Sequence, residues 1–268
     1  MLKFAKIYEI FESFGVDVVG SVRFGEIENH ILNTRSKGRI AANAKSVIVA
    51  AFCYNSGQKP VNMAKYAAVK DYHIVCNDIL EKVAVEILKM GSDVKFAHFA
   101  DVSPLPEVHT AAMLGLGVRG KNNLLITEKY GSYINIGSLF LDEELDEYSE
   151  ILQPGSCSEC GKCFEICPTS AISKNGFVRE LCISNITYKK HLNDQEVEVL
   201  KGQKSVLGCD LCQDCCPHNS GVKLTKILKY YEDIRERYDP CDDTIERLYG
   251  HPYCSAQIKR NFDILNQD

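Results

Sequence analysis

Residues 157–168 read CSECGKCFEICP, and residues 208–217 read GCDLCQDCCP. The first run sets Cys157, Cys160, Cys163 and Cys167 in the spacing C-x2-C-x2-C-x3-C-P. In that spacing one tight turn wraps three thiolates around an iron–sulfur cube, and a following helix carries the fourth to a second cluster. The second run reads C-x2-C-x3-C-P when Cys209, Cys212 and Cys216 are used, so that Cys216-Pro217 mirrors Cys167-Pro168. Two 4Fe-4S clusters need eight thiolates, and the runs supply seven. Cys182 is the one cysteine between them. The ligand sets are therefore read as Cys157, Cys160, Cys163 and Cys216 on one cluster, and Cys167, Cys182, Cys209 and Cys212 on the other. Cys215 is left over. The rival choice, Cys215 in place of Cys216, loses the pairing of the prolines. Four thiolates also suit zinc, but zinc knuckles rarely combine three closely spaced cysteines with Cys-Pro.

The 268 residues include 13 cysteines, 45% hydrophobic side chains and a net charge of −5. Nothing in that balance marks a nucleic-acid binder. The N-terminal MLKFAKIYEIFESFG carries Phe4, Ile7, Tyr8 and Phe11 at helical spacing, broken by charge. It is an amphipathic helix rather than a signal peptide. No apolar run reaches the length of a membrane span. A soluble cytoplasmic protein with no membrane partner is expected, and its cysteines serve metal rather than disulfides. Cys53, Cys76, Cys241 and Cys254 read as buried or partly buried thiols.

Before the cysteine runs, helical and strand patterns alternate. SVIVAAFCY (46–54) is a buried strand, and 63–91 has long helical periodicity. KFAHFAD (95–101) alternates as a strand, a helix restarts after Pro106, and YINIGSLFLDEEL (133–145) is another buried strand. LTKILKYYEDIRERY and CSAQIKRNFDIL in the tail are helical. The expected architecture is an α/β (α+β) sheet domain over 1–152. A ferredoxin-like two-4Fe-4S module over 153–221 and a small helical cap over 222–268 follow it.

A sheet domain in front of an electron wire must hold an electron acceptor. No G-x-G-x-x-G follows a strand, so no dinucleotide fingerprint is present. GLGVRGK (115–121) lacks P-loop spacing and reads as a tight turn. KDYH (70–73) reads on spacing alone as a helix surface. Asp101, at a strand end before two prolines, is either a proton donor in a pocket or a cap on the next helix.

Together, Tyr66-Ala67, KDYH, DVSP (101–104), GLGVRGKNNLL (115–125), CGKCFEICPTSAI (160–172), the CIS of 182–184 and GCDLCQDCCP resemble the epoxyqueuosine reductase family in order and spacing. These are cobalamin-dependent enzymes with two 4Fe-4S clusters, related to the reductive dehalogenases. The resemblance implies a corrin held base-off between the sheet domain and the clusters, which reduce cobalt by way of Co(II) to nucleophilic Co(I). It implies that Asp101 is the proton donor for epoxide opening in the last step of queuosine synthesis on tRNA. It places Asp71, Tyr72 and His73 near the cobalamin and Gly117, Gly120 and Lys121 in a loop beside the corrin. An external low-potential electron donor is the implied partner.

The departures concern substrate. Glu107-Val108-His109 stands where the family has Glu-Arg-Pro, Val118-Arg119 stands where it commonly has Trp-Thr, and the chain has no tryptophan. Beyond a stub, the family's C-terminal helical-repeat domain, which helps to hold tRNA, is not expected here. Arg35, Lys37, Arg39 and Lys45 form a modest basic run that reads as a solvated face. The competing functions are a cobalamin-dependent reductase and a ferredoxin-like electron carrier without cobalamin. Dehalogenation ranks below both, because the respiratory dehalogenases carry a twin-arginine signal.

Overall fold

A computed structural model describes residues 1–90, 93–239 and 252–266, with the side chains of 252–254 left aside. Helix α1 (Phe4–Ser13) leads into strand β1 (Val19–Arg23) and the short helix α2 (Phe24–Ile27). Strand β2 (Ser46–Cys53), helix α3 (Tyr72–Lys89), strand β3 (Phe96–Ala100) and helix α4 (Glu107–Met113) follow. A small hairpin of β4 (Val118–Arg119) and β5 (Leu125–Ile126) precedes the long strand β6 (Ile134–Leu141). The main sheet has the order β1-β2-β6-β3, and every pair in it is antiparallel. The expected α/β (α+β) sheet is thus of the α+β kind.

Both faces of this sheet are covered, which is why β2 is buried along its whole length. Ile48, Ala50 and Phe52 point with Leu139 and Leu141 into a core shared with Ile7 and Phe11 of α1 and Ile79, Leu80 and Val83 of α3. Val47 and Val49 point the other way, with Phe99 and Phe140, against Ala111 and Ala112 of α4. The period-two alternation of a strand produces this sorting.

Helix α3 is shorter than the periodicity of 63–91 predicts. Asp71 ends the preceding segment by accepting the backbone N–H of His73, and so caps the helix. Residues 63–64 are drawn instead into backbone pairing with Leu207. The 224–238 segment also departs from its helical pattern. Only the 3-10 turn Leu228–Glu232 forms, and Ile227 and Tyr230 are buried against α1 and α3. Tertiary burial overrides local propensity in both places.

The cysteine-rich part contains α5 (Lys162–Ile166), a β7–β8 hairpin (Ile172–Ser173 with Gly176–Phe177), α6 (Ile183–Tyr188), α7 (Asp194–Gln203) and α8 (Leu211–Asp214). The helix Pro252–Leu265 packs on α6 and α7. No described helix is long and apolar enough to cross a membrane.

Candidate functional site

The two cysteine turns place their thiols around two neighbouring cavities. Cys157, Cys160, Cys163 and Cys216 line the smaller cavity, together with Cys212. Cys167, Cys182, Cys209 and Cys212 line a larger cavity of about 720 Å³. Cys212 and Asn122 border both. Among the described residues no three His, Cys, Asp or Glu side chains stand together as a site for a single metal ion. Thiols that ring a cavity suit the larger body of a four-iron cluster.

Cys215 lines neither cavity. It stands near enough to Cys160 and Cys163 to be felt electrostatically, yet its Sγ turns to the carbonyl of Cys212 at 3.6 Å. The lining of the cavity is the better guide to ligation, because a charge is felt through space whereas a ligand must face the metal. Burial pushes the Cys209 thiol up to about 11 and raises Cys212 further. Such thiols become thiolates only when a metal compensates their charge. The backbone N–H of Lys121 donates to Cys157 Sγ at 3.3 Å, the kind of contact that tunes a cluster. Cys53 and Cys76 are buried away from both sets. Cys241 and the side chain of Cys254 lie outside the described residues.

Asp71, Tyr72, His73 and Asp101 line the same larger cavity. Asp71 is the cap of α3, and the same carboxylate oxygen holds His73 Nδ1 at 2.8 Å. The other ring nitrogen, Nε2, lies 3.4 Å from Asp101 Oδ2. Burial lowers the pKa of His73, but the bonds to Asp101 and Asp71 outweigh it and lift the value to about 9. The imidazole is therefore cationic at neutral pH, with both nitrogens donating.

Asp101 does not cap α4, whose N-cap is Pro106 with no side-chain bond. Its backbone has φ 73°, and Val102 N–H reaches back to Ala100 O at 3.0 Å. This is a γ-turn of the rare, strained hand. The Asp101 side chain is 55% exposed, against 5% for Asp71.

The glycine loop is placed differently. Gly117 directly precedes β4, Gly120 directly follows it, and neither lines the larger cavity. A Cβ on Gly117 would meet Ile126 O at 2.4 Å, and one on Gly120 would meet Asn122 Oδ1 at 2.3 Å, so these glycines permit close chain approach. Lys121 lines the smaller cavity and pairs with Glu159 at 2.6 Å. The next residues, Asn122, Asn123 and Leu124, are the ones that reach the larger cavity.

Sequence reasoning named Tyr72 and quoted Tyr66 without a role, but it missed Tyr54 and Tyr188. Tyr54, Tyr66, Tyr72 and Tyr188 line the larger cavity. Tyr66 and Tyr188 share a hydroxyl contact of 3.1 Å, and Tyr54 donates to Gln213 Oε1 at 3.2 Å. Ser132 Oγ donates to the same oxygen at 2.9 Å, while Tyr133 donates to Asp214 at 2.9 Å. These bonds fasten the second cysteine turn to the end of the sheet. Tyr54 and Tyr188 stand in no motif, so only the fold gathers them with Tyr66 and Tyr72. Arg35, Lys37, Arg39 and Lys45 are exposed, as a solvated face requires.

Comparison with known proteins agrees with this geometry. Residues 156–219 match the 4Fe-4S double cluster binding domain, and residues 36–102 match the family described as epoxyqueuosine reductase QueG, DUF1730. The chain is 30% identical over 239 residues to an epoxyqueuosine reductase of Leadbetterella byssophila, covering 87% of this chain and 78% of that one. It is 32% identical over 241 residues to that of Cyclobacterium marinum, covering 87% and 77%. A crystal structure of epoxyqueuosine reductase with an epoxyqueuosine-modified tRNA-Tyr stem loop superposes with a TM-score of 0.79 at 22% identity, over 98% of this chain and 80% of that one. At that identity the likeness speaks for the fold, and the curated relatives carry the family. The double-cluster module, the sheet domain before it and the relatives together place this chain in the epoxyqueuosine reductase family.

Proposed function

We propose that the protein is a cobalamin-dependent iron–sulfur reductase that removes the epoxide oxygen of epoxyqueuosine, in tRNA or in a smaller nucleotide carrying the same epoxide. One observation carries the reading: a single cavity is lined both by four cluster-type thiols and by the Asp71–His73–Asp101 array. An electron carrier has no use for a proton relay facing its terminal cluster, so the carrier reading is the weaker one.

The residues fit a corrin. The cavity lies at the upper end of the range for ligand sites, and it is walled by aromatic rings with few charged groups. A bound cobalamin supplies a low-potential metal centre for opening the epoxide. Cys157, Cys160, Cys163 and Cys216 hold the outer cluster in this reading. Cys167, Cys182, Cys209 and Cys212 hold the one facing the cavity. Asp71, Tyr72 and His73 form the wall beside the corrin.

Converting an epoxide to an alkene takes two electrons and two protons and releases water. The electrons come from an external low-potential donor by way of the two clusters. His73 stores a proton at neutral pH, and Asp101, exposed on its turn beside Nε2, delivers it to the departing oxygen, while the second proton comes from solvent. Anaerobic turnover of an epoxyqueuosine-containing stem loop and of the free nucleotide, read by mass spectrometry, tests this. Loss of one oxygen from either is expected. Intact epoxide in both, while the clusters cycle, would refute the reading.

A further inference from the structure

Strand β6 carries one residue that its packing does not explain. Asn135 stands between Ile134 and Ile136, although asparagine is disfavoured in strands. It pairs with Phe52 of β2, at a point where β6 has run past β3, whose last pair is Ala100 with Gly137. Alternation sets Asn135 on the face that Gly137 and Leu139 present to α3. Tyr72 and His73, the first residues of that helix, line the larger cavity, and so does Asn135.

The fold does not hold this amide. Its Oδ1 is buried with no hydrogen-bond partner, and its Nδ2 makes no hydrogen bond among the described residues. An amide buried without a partner destabilises a fold, so one at a cavity wall points to a partner outside the chain. The other amides of the wall differ. Asn122 Oδ1 accepts the N–H of Leu124 at 3.3 Å, Asn123 Oδ1 accepts from Arg119 at 2.7 Å, and Gln213 Oε1 accepts from two hydroxyls. Asn185 alone shares the condition of Asn135. It lies one turn beyond Cys182 on α6, lines the cavity half-buried, and makes no side-chain hydrogen bond among the described residues. One free amide thus belongs to the sheet and the other to the cluster-bearing part.

We propose that Asn135 and Asn185 bind primary amides on the rim of a corrin held in the cavity. A primary amide offers one acceptor and two donors, so two amides match whichever way each asparagine turns. A corrin carries neutral acetamide and propionamide arms around its ring. A modified base has one polar edge, whereas arms that project on all sides can meet contacts from two separate parts of the chain. The inference rests on the reading of the cavity as a cobalamin site and assigns two of its contacts.

The test is an anaerobic titration of the cluster-loaded protein with Co(II) cobalamin, without substrate. N135V and N185A should each weaken binding about tenfold, the loss of a hydrogen-bonded amide pair. Cobinamide, which keeps the rim amides and lacks the nucleotide loop, should show the same losses. In the corrin-free protein N135V should melt no lower than the parent, because valine suits a strand and Asn135 bonds to nothing in the fold. A lower melting temperature would mark Asn135 as structural and overturn its part. Parental cobalamin affinity in either variant overturns the assignment, and a raised KM for the epoxide substrate alone would give these amides to the substrate instead. A parent protein that binds no cobalamin overturns the cavity reading together with this one, whereas a parent that binds and variants that bind equally well overturn only the contacts.

Discussion

Asp101 sits in a γ-turn at φ 73°, a conformation that a non-glycine residue adopts at a cost and that positions its carboxylate against His73. If it delivers the proton, D101N should lower turnover about 10²–10⁴-fold while iron content and cobalamin affinity stay at parental values. The His73 pKa of about 9 fixes a pH window. A value raised above the ordinary 6.5 means that the ion pairs stabilise the fold fully below about 6.5 and stop doing so as pH rises past about 9. Thermal stability of the parent should therefore fall across that interval, and the alkaline limb of the rate profile should lie near its upper end. H73N should remove both dependences; a profile unchanged in H73N would detach His73 from the proton path.

The cysteine turns were the most legible elements, because spacing alone states what three thiolates can surround. Cys182 was found by counting, and the fold sets it beside Cys167 and Cys209 at the same cavity. C216S should lose iron and the spectrum of one cluster, whereas C215S should keep both, as read by iron analysis and EPR of the reduced protein. The opposite result would restore the rival assignment. The glycine loop was legible as a turn: Gly117 is crowded by the backbone of Ile126 and Gly120 by the Asn122 side chain, while Asn122 and Asn123 reach the cavity. Adding a methyl group in G117A, 2.4 Å from Ile126 O, should destabilise the protein by about 1–3 kcal/mol in chemical denaturation. Helical periodicity over 63–71 and 224–238 misled, since pairing with Leu207 and burial of Ile227 and Tyr230 claim those segments instead.

Across the whole molecule, the antiparallel sheet presents the end of β6 and the turn after β3 to the second cysteine turn. Tyr54, Ser132 and Tyr133 bolt the two parts together through Gln213 and Asp214. The cavity lies at that junction, and its lining residues are spread from Tyr54 to Gln213, so no short motif contains it. The decisive measurement is a cobalamin titration of anaerobically purified, cluster-reconstituted protein, followed by Co(II) EPR. The account predicts stoichiometric binding and a base-off Co(II) signal, retained in D101N. No binding at micromolar cobalamin, with both clusters demonstrably present, would contradict it.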